Sequence, residues 1–127
     1  MRFLGIDYGT KRIGLSISDE EGQIAFPKEI IPNDRDALRR IGEVVKKEKV
    51  STIVVGESTN FAGLPNKVAL EADSFTEELK VKFNIPVEKQ KEFLTSVEAR
   101  RYGEKGEVDH SAAALILQRF LDRKNKK

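Results

Sequence analysis

Apolar and polar positions recur with two different periods along this chain, and the change of period divides it in two. Over the first 31 residues the pattern is that of strands. Residues 2–6 and 13–18 read as strands on either side of Asp7-Tyr8-Gly9-Thr10-Lys11-Arg12. A third run, 23–31, follows the turn Asp19-Glu20-Glu21-Gly22. Leu15 and Ile17 alternate with Ser16 and Ser18, the period-two signature of a strand with one wet face. The connections are short, so consecutive strands are expected to pair as an antiparallel meander.

Beyond residue 31 helical and strand patterns alternate. Pro32-Asn33-Asp34 opens a helix whose apolar Leu38, Ile41 and Val45 lie at helical spacing, ending near Lys49. Residues 52–55 form a short β-branched strand, and 56–66 a loop. Val68, Ala72, Phe75, Leu79 and Phe83 step by three or four residues and mark a second amphipathic helix. Asn84-Ile85-Pro86 stops it, and residues 87–89 can form another strand. Thr95-Ser96-Val97-Glu98 has the spacing of a capping box, which predicts a third, short helix. Gly103 and Gly106 bracket a break. From Asp109 to about Asp122 the residues Ala112, Ala113, Leu115, Ile116, Leu117 and Phe120 predict a packed terminal helix. The order βββαβαβαα, with no linker, repeat or low-complexity segment, implies an α/β fold. We expect one domain over residues 1–127, built as a single mixed sheet flanked by helices.

Composition narrows the chemistry. With 23 basic and 21 acidic residues among 127, the net charge is only +2, which leaves room for a local basic face able to meet polyanions. Five of the last nine residues, from Arg119 on, are basic. A solvated, frayed terminus explains such a tail more readily than a phosphate contact does. The absence of Cys excludes disulfides and thiolate zinc sites. The first strand starts almost at once, and no apolar run reaches spanning length. A cytoplasmic protein without a leader or membrane segment is therefore expected.

The first candidate for chemistry is Asp7, at the end of a strand and before a tight turn containing Gly9. A carboxylate there projects from a rigid edge where a metal ion can reach it. Equally, Asp7 and Thr10 can be turn residues that bond the local backbone. Lys11 and Arg12 have the charge to hold phosphates beside Asp7, and also the composition of an ordinary solvated turn. Downstream, Asp109 stands where a helix N-cap would. Glu92 sits among the charged residues Glu88, Lys89 and Lys91, and Glu98 serves as the capping-box partner. The single His, His110, follows Asp109.

Four segments in order carry a resemblance. Gly5-Ile6-Asp7-Tyr8-Gly9-Thr10-Lys11-Arg12-Ile13-Gly14 is similar to the opening signature of the YqgF/RuvX family, the Holliday-junction-resolvase-like proteins assigned to maturation of small-subunit ribosomal RNA. Val54-Val55-Gly56 with Asn60 and Gly63 resembles its strand-and-loop motif. Glu92-Phe93-Leu94-Thr95-Ser96-Val97-Glu98-Ala99 resembles its segment with a central Glu. Val108-Asp109 followed by Ala112-Ala113 resembles its last helix start. The similarity runs over essentially the whole chain. It implies a ribonuclease H-like fold and an acidic set of Asp7, Glu92 and Asp109, acting as catalytic residues and metal ligands. Hard carboxylate oxygens suit Mg²⁺ or Mn²⁺, and two such ions about 4 Å apart serve phosphodiester hydrolysis. Lys11 and Arg12 would position the nucleic acid. Structured RNA or branched DNA is the implied partner, with pre-ribosomal particles and a monomer or weak homodimer as the setting.

The resemblance is broken near this set. Lys91-Glu92-Phe93 stands where the family has Asp-Glu-Arg, and Glu57-Ser58 where Leu-Pro is usual. A lysine ammonium beside a metal cluster opposes cation binding by roughly 1–4 kcal/mol at close range. Three functions follow from the sequence. One is a metal-dependent nuclease for 5′-end processing of pre-16S rRNA, with a Holliday-junction-type DNA resolvase as its variant. The next is a nucleic-acid-binding ribosome-assembly module with little or no catalysis, favoured by Lys91 and Phe93. The last is an ATP-binding domain of the sugar-kinase and actin class. It is disfavoured because no second glycine-rich phosphate motif is present.

Overall fold

The computed structural model describes residues 1–59, 67–93 and 110–126. Their elements run β1 (Arg2–Tyr8), β2 (Arg12–Ser18), β3 (Ala25–Pro32), α1 (Ala37–Lys47), β4 (Val50–Thr59), α2 (Lys67–Lys82), β5 (Val87–Phe93) and α3 (His110–Asn125). The expected loop across 60–66, the short helix from Thr95 and the break at Gly103 and Gly106 lie outside the described residues.

The five strands form one sheet in the order β3-β2-β1-β4-β5. The β1/β2 and β2/β3 pairs are antiparallel, as the short turns require, whereas β1/β4 and β4/β5 are parallel. Parallel neighbours need crossover connections, and α1 and α2 supply them. β4 and β5 both run further than their apolar segments. The polar stretch from Gly56 to Thr59 pairs with Gln90 to Phe93, so ladder hydrogen bonds, not hydrophobicity, extend both strands. α1 starts at Ala37, later than Pro32-Asn33-Asp34 suggested. The Asp34 carboxylate accepts from the Asp36 N–H at 2.9 Å and pairs with Arg40 at 3.0 Å, which makes a separate turn before the helix.

The sheet has an apolar layer on each face. Leu4, Ile6, Ile13, Leu15, Ile53 and Val55 pack with Ile41 and Val44 of α1 and Phe75 and Leu79 of α2. Phe3 and Val54 pack on the other face with Ile116, Leu117, Phe120 and Leu121 of α3. Strand alternation makes this division, since neighbouring residues of β1 and β4 point to opposite faces.

α3 changes the reading of β2. Its serine face is dry, because Ser16 is fully buried and Ser18 is 2% exposed. The Ser16 hydroxyl donates to the Ala113 carbonyl at 2.8 Å, and the Ser18 Oγ accepts the Phe3 N–H at 2.8 Å. Alternation of polar with apolar residues recorded a face that buries small hydroxyls under a helix, with their hydrogen bonds satisfied. Gly5 permits the close approach: a Cβ there would lie 2.8 Å from the Leu117 Cβ and 3.1 Å from the Ala113 carbonyl oxygen.

No described helix is long and apolar enough to cross a membrane.

Candidate active site

Asp7 is the last residue but one of β1 and is buried, at 9% exposure. Its face follows from its neighbours. Phe3 and Gly5, four and two residues back along the strand, meet α3, whereas the Tyr8 ring packs at a tilt against Phe75 of α2 with ring centroids 5.2 Å apart. Asp7 therefore belongs to the α3 face. Across the ladder it pairs with Gly14 of β2. On the other side Ile6 pairs with Val55, so the next step along β4 is Gly56. The buried carboxylate thus lies between two strand positions that carry no side chain.

α3 is aligned so that its amino end comes to this edge. Ala113 and Leu117 lie against Gly5, the Phe120 ring lies 5.9 Å from that of Phe3, and Asn125 donates to the Gly22 carbonyl at the far turn. The helix therefore runs antiparallel to β1, and His110, its first residue, lies toward the carboxyl end of the strand where Asp7 sits. Asp109 immediately precedes it and lies outside the described residues.

Glu92 falls on β5, where the backbone register places it opposite Ser58. Register partners in a parallel pair share a face, so position 92 has the parity of Gly56 and Gln90, the parity of the α3 face. Positions 91 and 93 have the opposite parity, that of Val55 and Lys89. Lys89 shows where that face leads, since its ammonium pairs with Asp73 of α2 at 3.1 Å. The departures Lys91 and Phe93 thus occupy strand positions of the α1/α2 face. At common strand spacings the α-carbons of residues 7 and 92 are about 12 Å apart on one edge of the sheet.

Lys11, on the β1–β2 connection, and Arg12, the first residue of β2, are both exposed. Asn33, just beyond β3, holds that connection. Its side-chain amide donates to the Gly9 carbonyl at 2.8 Å, and its backbone N–H donates to the Lys11 carbonyl at 2.9 Å. In the sequence Asn33 reads as part of a helix opening. Its task at the turn could not be found there, because the two segments meet only through the β2/β3 pairing. Gln90 is the other addition, half-buried on the α3 face opposite Gly56.

Among the described residues no three acidic or histidine side chains form a cluster able to hold a metal. The described part of the candidate set is Asp7 together with the strand position of Glu92. Both lie at the carboxyl edge of neighbouring or next-neighbouring parallel strands, the edge at which ligands bind in open α/β sheets.

Known proteins agree with this architecture. The family described as RuvX, Holliday junction resolvase, matches residues 1–123. A Limosilactobacillus fermentum protein named "Putative pre-16S rRNA nuclease" is 36% identical over 136 residues, covering 96% of this chain and 94% of its own. A Streptococcus agalactiae protein of the same name is also 36% identical, over 97% of this chain and 99% of its own. Among solved structures, Thermus thermophilus RuvC in complex with a Holliday junction substrate superposes with a TM-score of 0.60 over 99% of this chain and 96% of its own, at 17% identity. The fowlpox virus Holliday junction resolvase gives 0.51 at 12% identity, over 98% of this chain and 99% of its own. These two likenesses establish the fold as ribonuclease H-like. The match over nearly all of its length, together with relatives of equal extent, makes this chain a member of the RuvX family of hydrolytic nucleases.

Proposed function

We propose that this protein is a divalent-metal-dependent nuclease that cleaves phosphodiester bonds in structured RNA, namely the precursor of small-subunit ribosomal RNA at its 5′ end. The observation that carries the reading is Asp7, a carboxylate buried between glycine positions on the same face and edge of the sheet as the position of Glu92. Burial disfavours a carboxylate's charged form, and a cation beside it offsets that cost. The donor chemistry fits, since hard oxygen ligands from Asp7, Glu92 and Asp109 suit Mg²⁺ or Mn²⁺. Such an ion, when bound, supplies charge neutralisation at the phosphate and at the leaving oxygen.

The chain's own residues have separable tasks. Asp7 is held by the β1/β2 ladder and presents a fixed oxygen donor. Lys11 and Arg12 hold the phosphate backbone from the turn that Asn33 secures. Contacts of that kind give affinity that falls with salt and carries little base specificity. The protein works as one domain in the cytoplasm, on pre-ribosomal particles, as a monomer or weak homodimer. A DNA-junction resolvase is the second reading, favoured by the family's description and by the junction substrate in the RuvC structure.

The test is cleavage of a pre-16S rRNA 5′-end substrate and of a four-way DNA junction by purified protein with Mn²⁺. Cleavage of the RNA that Asp7→Asn lowers by at least about 100-fold, the loss of several kcal/mol of metal-dependent stabilisation, supports the proposal. Preference for the junction moves the assignment to DNA. Absence of metal-dependent cleavage of either substrate ends the nuclease reading.

A further inference from the structure

The basic segment from Arg119, expected to be frayed, is helical as far as Asn125. α3 continues through Asn125 and is fastened along one flank. The Gln118 amide donates to the Gln23 carbonyl at 2.9 Å and its oxygen accepts the Ala25 N–H at 2.9 Å. The Asn125 amide donates to the Gly22 carbonyl at 3.0 Å. The cations themselves lie against aromatic rings. The Arg123 guanidinium is 5.5 Å from the Phe120 centroid, and the Lys124 ammonium is 5.6 Å from that of Phe3. Guanidinium and ammonium groups so placed are attracted by the ring face, which limits their freedom before any ligand arrives.

The helix also sorts its charge. Gln118, Asp122 and Asn125 share the flank that meets the β2–β3 turn, where Glu20 and Glu21 are exposed. Positions 119, 123 and 126 step by four and three residues along the other flank, with Arg123 and Lys126 exposed. The acidic turn and the basic row therefore lie on different flanks of α3, roughly 100° apart around its axis. At 1.5 Å per residue the row ends about 24 Å from the helix start near Asp7, a spacing on the order of seven base pairs along a duplex.

We infer that the outer flank of α3 is a second contact surface, which holds the phosphate backbone of a double-stranded arm of the RNA substrate through Arg123 and Lys126. The inference rests on the nuclease reading above. A base-paired arm fits better than a single strand. Arg123 projects from a straight helix with its guanidinium held over Phe120, and Lys126 follows the last helical residue on the same flank, so the two charges track one backbone of a regular duplex. Among the residues of this flank there is no exposed aromatic ring on which an unpaired base could stack.

The experiment measures binding of RNA substrates whose double-stranded arm is 4 or 12 base pairs long, over a range of salt. Wild-type protein is compared with Arg123→Glu/Lys126→Glu and the milder Arg123→Gln/Lys126→Gln, with circular dichroism as a check on folding. We expect wild-type protein to bind the long arm about tenfold more tightly than the short one. Both variants should lose that preference and flatten the slope of log affinity against log salt by one to two, at about 0.9 per lost phosphate contact. Cleavage at saturating substrate should be unchanged, because neither residue lies near Asp7. Folded variants that keep the arm-length preference and the slope overturn this inference alone. A wild-type protein that prefers the same arm made of DNA overturns the choice of RNA. A wild-type protein that binds neither arm overturns this inference together with the reading on which it rests.

Discussion

The two faces of the sheet are built from the same strands yet are filled differently. The α1/α2 face is a continuous layer of Leu, Ile and Val side chains closed by Phe75, with Tyr8 packed at its margin. The α3 face has Gly5, Gly14, Ser16, Ser18 and Gly56 at its centre, a Phe3–Phe120 pair at one end and the buried Asp7 at the other. One face gains stability from apolar burial, at about 1.5–3 kcal/mol per large side chain. The other gives up part of that gain for a close-fitting helix and a carboxylate. On the proposed reading the difference separates what holds the fold from what performs the chemistry, and it predicts that the two respond differently to substitution.

The largest effect on stability should come from the apolar face. Leu4→Ala or Ile53→Ala removes a side chain with no exposure and should cost about 2–5 kcal/mol in chemical denaturation. Cleavage per folded molecule should change little; a large loss of activity in the folded fraction would break the division between the faces. Gly5→Ala should cost about 1–3 kcal/mol, since its Cβ would clash first with the Ser16 hydroxyl that bonds α3 and then with Leu117 and the Ala113 carbonyl of α3. Here activity should fall further than stability, because moving α3 moves the helix start beside Asp7. Equal changes in both would show that α3 only covers the sheet.

A smaller effect is expected at Asn33. Asn33→Ala removes the bond to the Gly9 carbonyl and should cost about 0.5–1.5 kcal/mol. If the turn positions Lys11 and Arg12, the variant should also weaken nucleic-acid binding, and Lys11→Ala in its background should add less than it does alone. Full additivity in that double-mutant cycle would deny the coupling.

The smallest effect lies at the edge remote from Asp7. Glu48 accepts from Lys28 at 3.1 Å and from Arg2 at 2.9 Å, and the Lys28 hydrogen bond, followed by its charge, holds the Glu48 carboxyl below its ordinary range. A lowered folded pKa means stability that is present above the unfolded value, near 4.3, and lost as pH falls through the folded one. Glu48→Gln should therefore cost about 0.2–1 kcal/mol at neutral pH, and that difference should shrink below about pH 4. A difference that stayed constant down to pH 2 would rule out this linkage.

Much of the architecture was legible because periodicity is a local property. Val68, Ala72, Phe75 and Leu79 lie on one side of a helix whatever surrounds it, and Asp19 to Gly22 make a turn from their own chemistry. The sequence did not disclose the ends of β4 and β5, since the bonds that extend them come from a strand more than thirty residues away. Ser16 and Ser18 misled for a related reason. A small hydroxyl reads as solvent-facing unless a distant helix supplies its acceptor. For the site, the motif order pointed to Asp7, Glu92 and Asp109, and it also raised Lys91 as an obstacle.

By itself, then, the sequence determined the kinds of element, their order and the family resemblance, because each depends on neighbours along the chain. Only the tertiary structure decided which residues share a face. Strand alternation reverses that assignment at every residue, and register is set by pairing across the sheet. In that way position 92 falls on the face of Asp7 and position 91 on the other. The same pairing places the start of α3 at the carboxyl edge of β1, and the helix carries the basic segment from Arg119 as far as Asn125.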